Sequence, residues 1–181
     1  MSTRTIDYTI SLLLLIGLVA CTAATRGPDA PTTAPLLAGT SQSSTDLDLV
    51  TEQLVYVPAY SDIFYNADGQ TVDLAITLSV RNTDLLHSII ITTIDYYNTE
   101  GTLVRSYIDE PVALGPLASS HVVVDPRDES GGVGANFLVA WGAEALVHEP
   151  VVEAVMISAA GQQGLSLISP GRVISQTRTL P

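Results

Sequence analysis

The densest run of groups able to do chemistry is Asp125-Pro-Arg-Asp-Glu-Ser-Gly-Gly-Val-Gly-Ala-Asn136. Three of its carboxylates, Asp125, Asp128 and Glu129, are candidate Ca²⁺ ligands, and its glycine-rich backbone is a candidate anion cradle. The oxygen ligands do not alternate as they do in an EF-hand loop, and no basic residue follows Val133 to support a phosphate. The competing reading is a long connection between sheets, with glycine where φ must be positive and with Asp125 and Asp128 capping turns. The connection is the expectation carried forward, and no cofactor is assigned.

Other chemistries find less support. His87, His121 and His148 are far apart in sequence, with no i, i+2 or i, i+4 partner, so a metal site would need tertiary convergence. There is no nucleophile elbow, and Ser166 falls in a strand-like run, so no catalytic residue is assigned and the chain is not read as an enzyme. All seven basic residues are arginine, which removes the Walker A lysine, the kinase lysine and any Schiff base. Tyr56, Tyr60, Tyr96, Tyr97 and Tyr107, with Asn136, are candidates for a carbohydrate- or peptide-binding surface. Sheets favour tyrosine anyway, which is the simpler explanation of their number. The net charge of −12 argues against a nucleic-acid partner and against electrostatic attraction to anionic lipid.

The residues before the domain carry a different message. Ile10–Ala20 is an eleven-residue apolar run, too short to span hydrocarbon and the right length for the core of a signal peptide. It ends Leu18-Val19-Ala20-Cys21, and Cys21 is the only cysteine, which forbids an internal disulfide. These residues resemble the lipobox of bacterial lipoprotein precursors. The resemblance implies cleavage before Cys21, a diacylglyceryl group on its sulfur and often acylation of the new amine. Two or three acyl chains anchor a protein stably where one does not. The partner so implied is a membrane in the bacterial cell envelope, either the outer membrane or the periplasmic face of the inner one in a Gram-negative cell. The further partner is an envelope protein or glycan of unknown identity. From Thr22 to about Gln53 the chain is rich in Thr, Ala, Ser and Pro without a sustained apolar period, and it reads as a disordered tether.

The remaining residues must supply the scaffold. Val72–Val80 sets large apolar residues at every even position and small or polar ones between them, the period of a strand with one buried face. Leu54–Pro58, Ser88–Tyr97, Ser119–Val124, Phe137–Trp141, Val151–Ser158 and Leu165–Ile168 read as further strands, with Arg172–Ile174 a last short edge. Ile90, Thr92, Ile94 and Tyr96 are expected on one face of their strand. Asn98-Thr99-Glu100-Gly101 suits a hairpin loop with Gly101 in the left-handed region, which would set Asp95 opposite Arg105. At most one helical turn is expected, at Gly142–His148. The fold class is all-β, an antiparallel immunoglobulin-like β-sandwich of about seven to nine strands. The boundaries are a signal peptide at 1–20, the lipidated Cys21 and tether at 21–53, the sandwich at 54–175 and a tail at 176–181.

Five segments carry a wider resemblance: Val55-Tyr-Val-Pro-Ala-Tyr-Ser61, Leu78-Ser-Val-Arg-Asn-Thr-Asp84, Asp95-Tyr-Tyr97, Leu103-Val-Arg-Ser-Tyr107 and Ser130-Gly-Gly-Val-Gly-Ala-Asn-Phe137. They resemble a bacterial family whose domain of unknown function is numbered three-one-two-four and whose members are often lipoproteins. Val133 stands where a smaller residue is usual. The resemblance implies the domain limits and an envelope location, and it implies no catalytic residue.

Overall fold

Alternation of apolar and polar side chains along successive segments yields two antiparallel sheets whose apolar faces bury one another. The structure, a computed structural model, describes residues 40–41, 47–159 and 164–179. The signal-peptide residues, Cys21, most of the tether and most of the Gly161–Gly164 turn lie outside the described residues.

Thirteen strand segments are present among those residues. They are β1 (Thr40–Ser41), β2 (Thr51–Pro58), β3 (Asp62–Phe64), β4 (Thr71–Asp73), β5 (Ala75–Arg81), β6 (Ile89–Tyr97), β7 (Leu103–Ser106), β8 (Val112–Leu114), β9 (Ser119–Val124), β10 (Asn136–Ala143), β11 (Val151–Ser158), β12 (Leu165–Pro170) and β13 (Arg172–Arg178). Eight of them have six or more residues, which agrees with the seven to nine expected. The larger sheet runs β1-β8-β6-β10-β2-β13, with β7 also on β6, and the smaller runs β12-β11-β5-β9. A separate hairpin pairs β3 with β4. There is no helix among the described residues, and Gly142–His148 is a strand end followed by irregular chain.

The core lies between the two faces. β2, β6 and β10 contribute Val55, Val57, Ile91, Ile94, Tyr96, Phe137, Val139 and Trp141, while β5, β9 and β11 contribute Ile76, Leu78, Val80, Val122, Val124, Ala154 and Met156. The strand expected over Val72–Val80 is divided at Leu74. Its first part pairs with β3, its second lies between β9 and β11, and Leu74 donates its N–H to the Ser61 carbonyl at 2.8 Å. Leu74, Ile76 and Leu78 keep one face throughout and are fully buried.

Several expectations shift. β6 carries an extra residue near Thr92, because Ala140 pairs with Thr93 while Trp141 pairs with Ile91. That bulge flips the phase, so Ile89 and Ile91, rather than Ile90 and Thr92, share the core with Ile94 and Tyr96. Gly101 does adopt φ +76°, and Asn98 N–H bonds the Thr102 carbonyl at 3.0 Å as the hairpin reading requires. A second irregularity at Tyr96/Tyr97 sets Arg105 opposite Tyr96 and Ser106 opposite Asp95, so the Asp95–Arg105 pair does not form.

The folded region also begins before residue 54 and runs past 175. Thr51 and Gln53 are buried on the core side of β2, and β13 pairs with β2 as far as Arg178. Pro170-Gly171 carries the chain from one sheet to the other. A Cβ on Gly171 would come within 2.6 Å of Val55 Cγ1 and 2.7 Å of the Val152 carbonyl, so only glycine fits that crossing.

Ile76 has no exposed surface and faces the opposing sheet. Ile76→Asp should abolish cooperative thermal unfolding, since an unpaired buried charge costs about 3–5 kcal/mol or more. Circular dichroism melting checks this, and a cooperatively folded mutant would show that the other face of β5 is the core face.

Candidate functional site

The loop between β9 and β10 turns its polar groups on its own neighbours. Arg127 donates to Asp125 through its backbone N–H, Nε and Nη2 at 2.9, 2.9 and 3.1 Å. The Arg127 side chain first, and its backbone N–H second, hold the Asp125 carboxyl down at about 2. Asp128 accepts from Arg105 Nη2 at 3.2 Å and from the Ser130 N–H and hydroxyl. Glu129 is exposed. No group of three potential metal ligands from His, Cys, Asp and Glu occurs among the described residues. The three candidate Ca²⁺ ligands are therefore not brought together: two face arginines and one faces solvent.

The glycines serve closure. Thr99 N–H and Oγ1 both donate to the Gly131 carbonyl at 2.9 and 3.0 Å, and Gly134 N–H donates to Thr99 Oγ1 at 3.0 Å. Gly132 N–H donates to Ser61 Oγ at 2.7 Å. A Cβ on Gly131 would overlap the Tyr96 hydroxyl and stand 2.7 Å from Tyr96 Cζ. Gly132 has φ +72° and lies against Thr99. The loop is a lid on one end of the sandwich, pinned to the β6–β7 hairpin and to Ser61.

The tyrosines separate into two groups. Tyr96 is fully buried, its ring 4.8 Å from that of Phe137, and its hydroxyl has no hydrogen-bond partner within normal distance among the described residues. Burial, and then the negative charge of Asp128, push its pKa up. Tyr107 is half-buried against the same phenylalanine, with the Arg105 guanidinium 5.6 Å from its ring centre. Tyr96 thus leaves the candidate binding surface and belongs to the core; Tyr107 is held beside it. Tyr60 is partly exposed beyond the end of β2.

Tyr56, Tyr97 and Asn136 do share a face, the outer side of the larger sheet. Register places Arg172, Tyr56, Leu138, Asp95 and Ser106 in one cross-strand row, and Pro58, Asn136, Tyr97 and Leu103 in the next. Ser106 Oγ donates to Asp95 at 2.6 Å within the first row. Nearer the start of β2 is a hollow of about 230 Å³ walled by Leu49, Glu52, Leu54, Thr92, Ala140 and Thr177. Leu49 rests on Gly142, where a Cβ would stand 2.8 Å from its Cδ1. Sequence reasoning missed Leu138 and Arg172, whose relation to Tyr56 exists only across strands.

At the opposite end lies a node that the sequence showed only as a connection. The buried Asp84 carboxylate accepts the N–H groups of Leu86 and His87 at 2.8 Å each and of His148 at 3.0 Å. The His87 ring Nδ1 lies 3.2 Å away. Asn82 Nδ2 reaches the carbonyls of His87, Leu114 and Gly115 at 2.9–3.0 Å, and its Oδ1 accepts from Asp84 N–H. The node joins the β5–β6, β8–β9 and β10–β11 loops. It brings His87 and His148 to one carboxylate, His148 through its backbone. His121 stays apart on β9, opposite Ser79.

Three substitutions probe these closures. Gly131→Ala should destabilise the domain by about 1–3 kcal/mol through overpacking, while Tyr96→Phe, which removes a buried hydroxyl with no partner within normal distance among the described residues, should be neutral or stabilising in the same melts. The N–H groups of Leu86, His148 and His87 hold the Asp84 carboxyl well below the usual carboxylate range. A depressed folded-state pKa contributes stability that is complete above the unfolded value near 4 and is lost as pH falls through the lowered folded value. Asp84→Asn should therefore lower the melting midpoint at pH 7 by about 5 °C or more and flatten its decline below pH 4. Melting curves across pH check both effects.

No curated protein matches the chain. A solved structure, "Crystal Structure of Thermotoga maritima 1070", is similar at 12% identity over 66% of this chain and 92% of its own, with a TM-score of 0.40, too distant to bear on fold or function. Residues 52–174, from the start of β2 into β13, match the family described as "Protein of unknown function (DUF3124)". The match takes in both closures, the Gly131–Gly134 lid and the Asn82–Asp84 node, and the chain belongs to that family.

Proposed function

We propose that this protein is a non-enzymatic, lipid-anchored module of the bacterial cell envelope that binds or scaffolds another envelope component. The observation that carries the reading is Leu18-Val19-Ala20-Cys21, the chain's only cysteine at the one position a lipobox requires, directly after an apolar run of signal-peptide length. The binding role is supported by the outer face of the larger sheet. There Tyr56 and Tyr97 offer rings, and Asn136, Asp95 and Arg172 offer hydrogen-bonding and charged groups suited to a glycan or an extended peptide. The enzyme or calcium-dependent alternative centred on 125–136 is less well supported. It would require Asp125 and Asp128 to exchange Arg127 and Arg105 for an ion.

Expression of the full chain and of Cys21→Ala in a bacterium, followed by membrane fractionation and intact-mass measurement, tests the anchor. The parent chain should sediment with membranes, with the mass of residues 21–181 plus its acyl groups, and Cys21→Ala should lose both properties. Identical masses and fractionation for the two would overturn the proposal.

A further inference from the structure

Three loops meet at the Asn82–Asp84 node, and each presents leucine to solvent. Leu85 is 68% exposed and Leu86 80% on the first, Leu117 64% on the second and Leu146 53% on the third. Single exposed leucines are ordinary. Four on loops locked together by one buried carboxylate and one buried amide form a fixed set of apolar side chains, with the exposed Glu144 and Glu149 beside Leu146 on the third loop. Leu117 adds a separate sign. It is the one non-glycine residue of positive φ among the described residues, at +57°, a conformation a bulky side chain adopts at a cost. Its N–H is tied to the Asp84 carbonyl at 3.2 Å, yet its side chain is left largely outside the core.

The chain enters the domain at this same end. Thr51 opens β2 opposite Ala143, and Val50 N–H bonds the Ala143 carbonyl at 2.9 Å. Thr40, the earliest described residue, pairs with Ala113 of β8, immediately before the loop that carries Leu117. Cys21 is nineteen residues before Thr40. That stretch can reach at most about 65 Å at full extension.

We infer that the Leu85/Leu86, Leu117 and Leu146 loops form a membrane-facing end that inserts into the interfacial layer of the bilayer to which Cys21 is anchored. The inference rests on the lipid anchor proposed above. A tether of this length holds the domain at high effective concentration over the bilayer, so weak apolar insertion suffices to orient it. With a net charge of −12, the contact depends on leucine burial in neutral lipid rather than on attraction to anionic headgroups.

The test uses the full lipidated chain in phosphatidylcholine vesicles, with an environment-sensitive dye on Leu86→Cys and, as control, on Glu100→Cys in the β6–β7 hairpin at the other end. Both positions are exposed, and Cys21 is the only native cysteine. The dye at position 86 should shift to the blue and be quenched several-fold more strongly than that at 100 by spin-labelled phosphatidylcholine. Equal, water-like emission from the two positions, in protein whose mass confirms lipidation, overturns the inference and leaves the anchor standing. A blue shift that needs no lipid and grows with protein concentration identifies a second copy as the occupant, and also overturns it. A mass without lipid overturns the anchor, and the inference with it.

Discussion

A β-sandwich satisfies its backbone along the strand ladders and leaves unpaired groups at the two ends, where strands stop and loops cross between sheets. The constraint on which this structure rests is that those buried groups find partners. One residue settles much of it at one end. The Asp84 carboxylate takes three backbone N–H groups from two loops, while Asn82 gives its amide to three carbonyls. A charge held by backbone donors needs no counter-ion, so the node can be buried without lysine or arginine. At the other end the same problem is solved with glycine. Carbonyls and N–H groups of 131–134 approach Thr99 and Ser61 closely because no Cβ intervenes.

This division explains what could be read from the sequence. Period-two alternation depends only on burial of one face, so Leu74, Ile76 and Leu78, and likewise Phe137, Val139 and Trp141, are assigned correctly from local pattern. The Gly101 turn is equally local. Bulges are not. Whether Thr92 is an extra residue depends on how Ala140 and Trp141 are paired by both β2 and β6, and one insertion exchanges Ile90 for Ile91 in the core. The irregularity at Tyr96/Tyr97 replaces the expected Asp95–Arg105 pair with Asp95–Ser106 and frees Arg105 for Asp128. The start of the domain was concealed for another reason: Thr51 and Gln53 are polar residues on the core side of a strand, so hydrophobic pattern ends before the strand does.

The candidate site was legible in kind and not in composition. Preferring a connection to a cation site in 125–136 rests on the missing alternation of oxygen ligands and on the glycines, each of which has a close neighbour in the structure. The tyrosines could not be sorted without register. Tyr96 and Tyr97 are adjacent in sequence and end on opposite sides of the sheet, one against Phe137 and the other in a row with Asn136 and Pro58. Only cross-strand pairing shows that Tyr56 and Tyr97 share a face with Asp95 and Arg172.

The two ends also differ in chemistry, and the strands fix the distance between them. β2 and β10 each have eight residues, so about 25 Å of ladder separates the leucine-bearing loops from the glycine lid. If the leucine end lies on a bilayer, the Tyr56 and Tyr97 rows are near the far end of that ladder, above the headgroups and on a face that stands upright to the membrane. A partner on that face would be met by rings and hydrogen-bonding groups on rigid strands. The buried carboxylate at the base would then have two consequences from one set of bonds. It closes the core, and it holds leucines from three loops in a fixed arrangement that separate, mobile loops could not maintain.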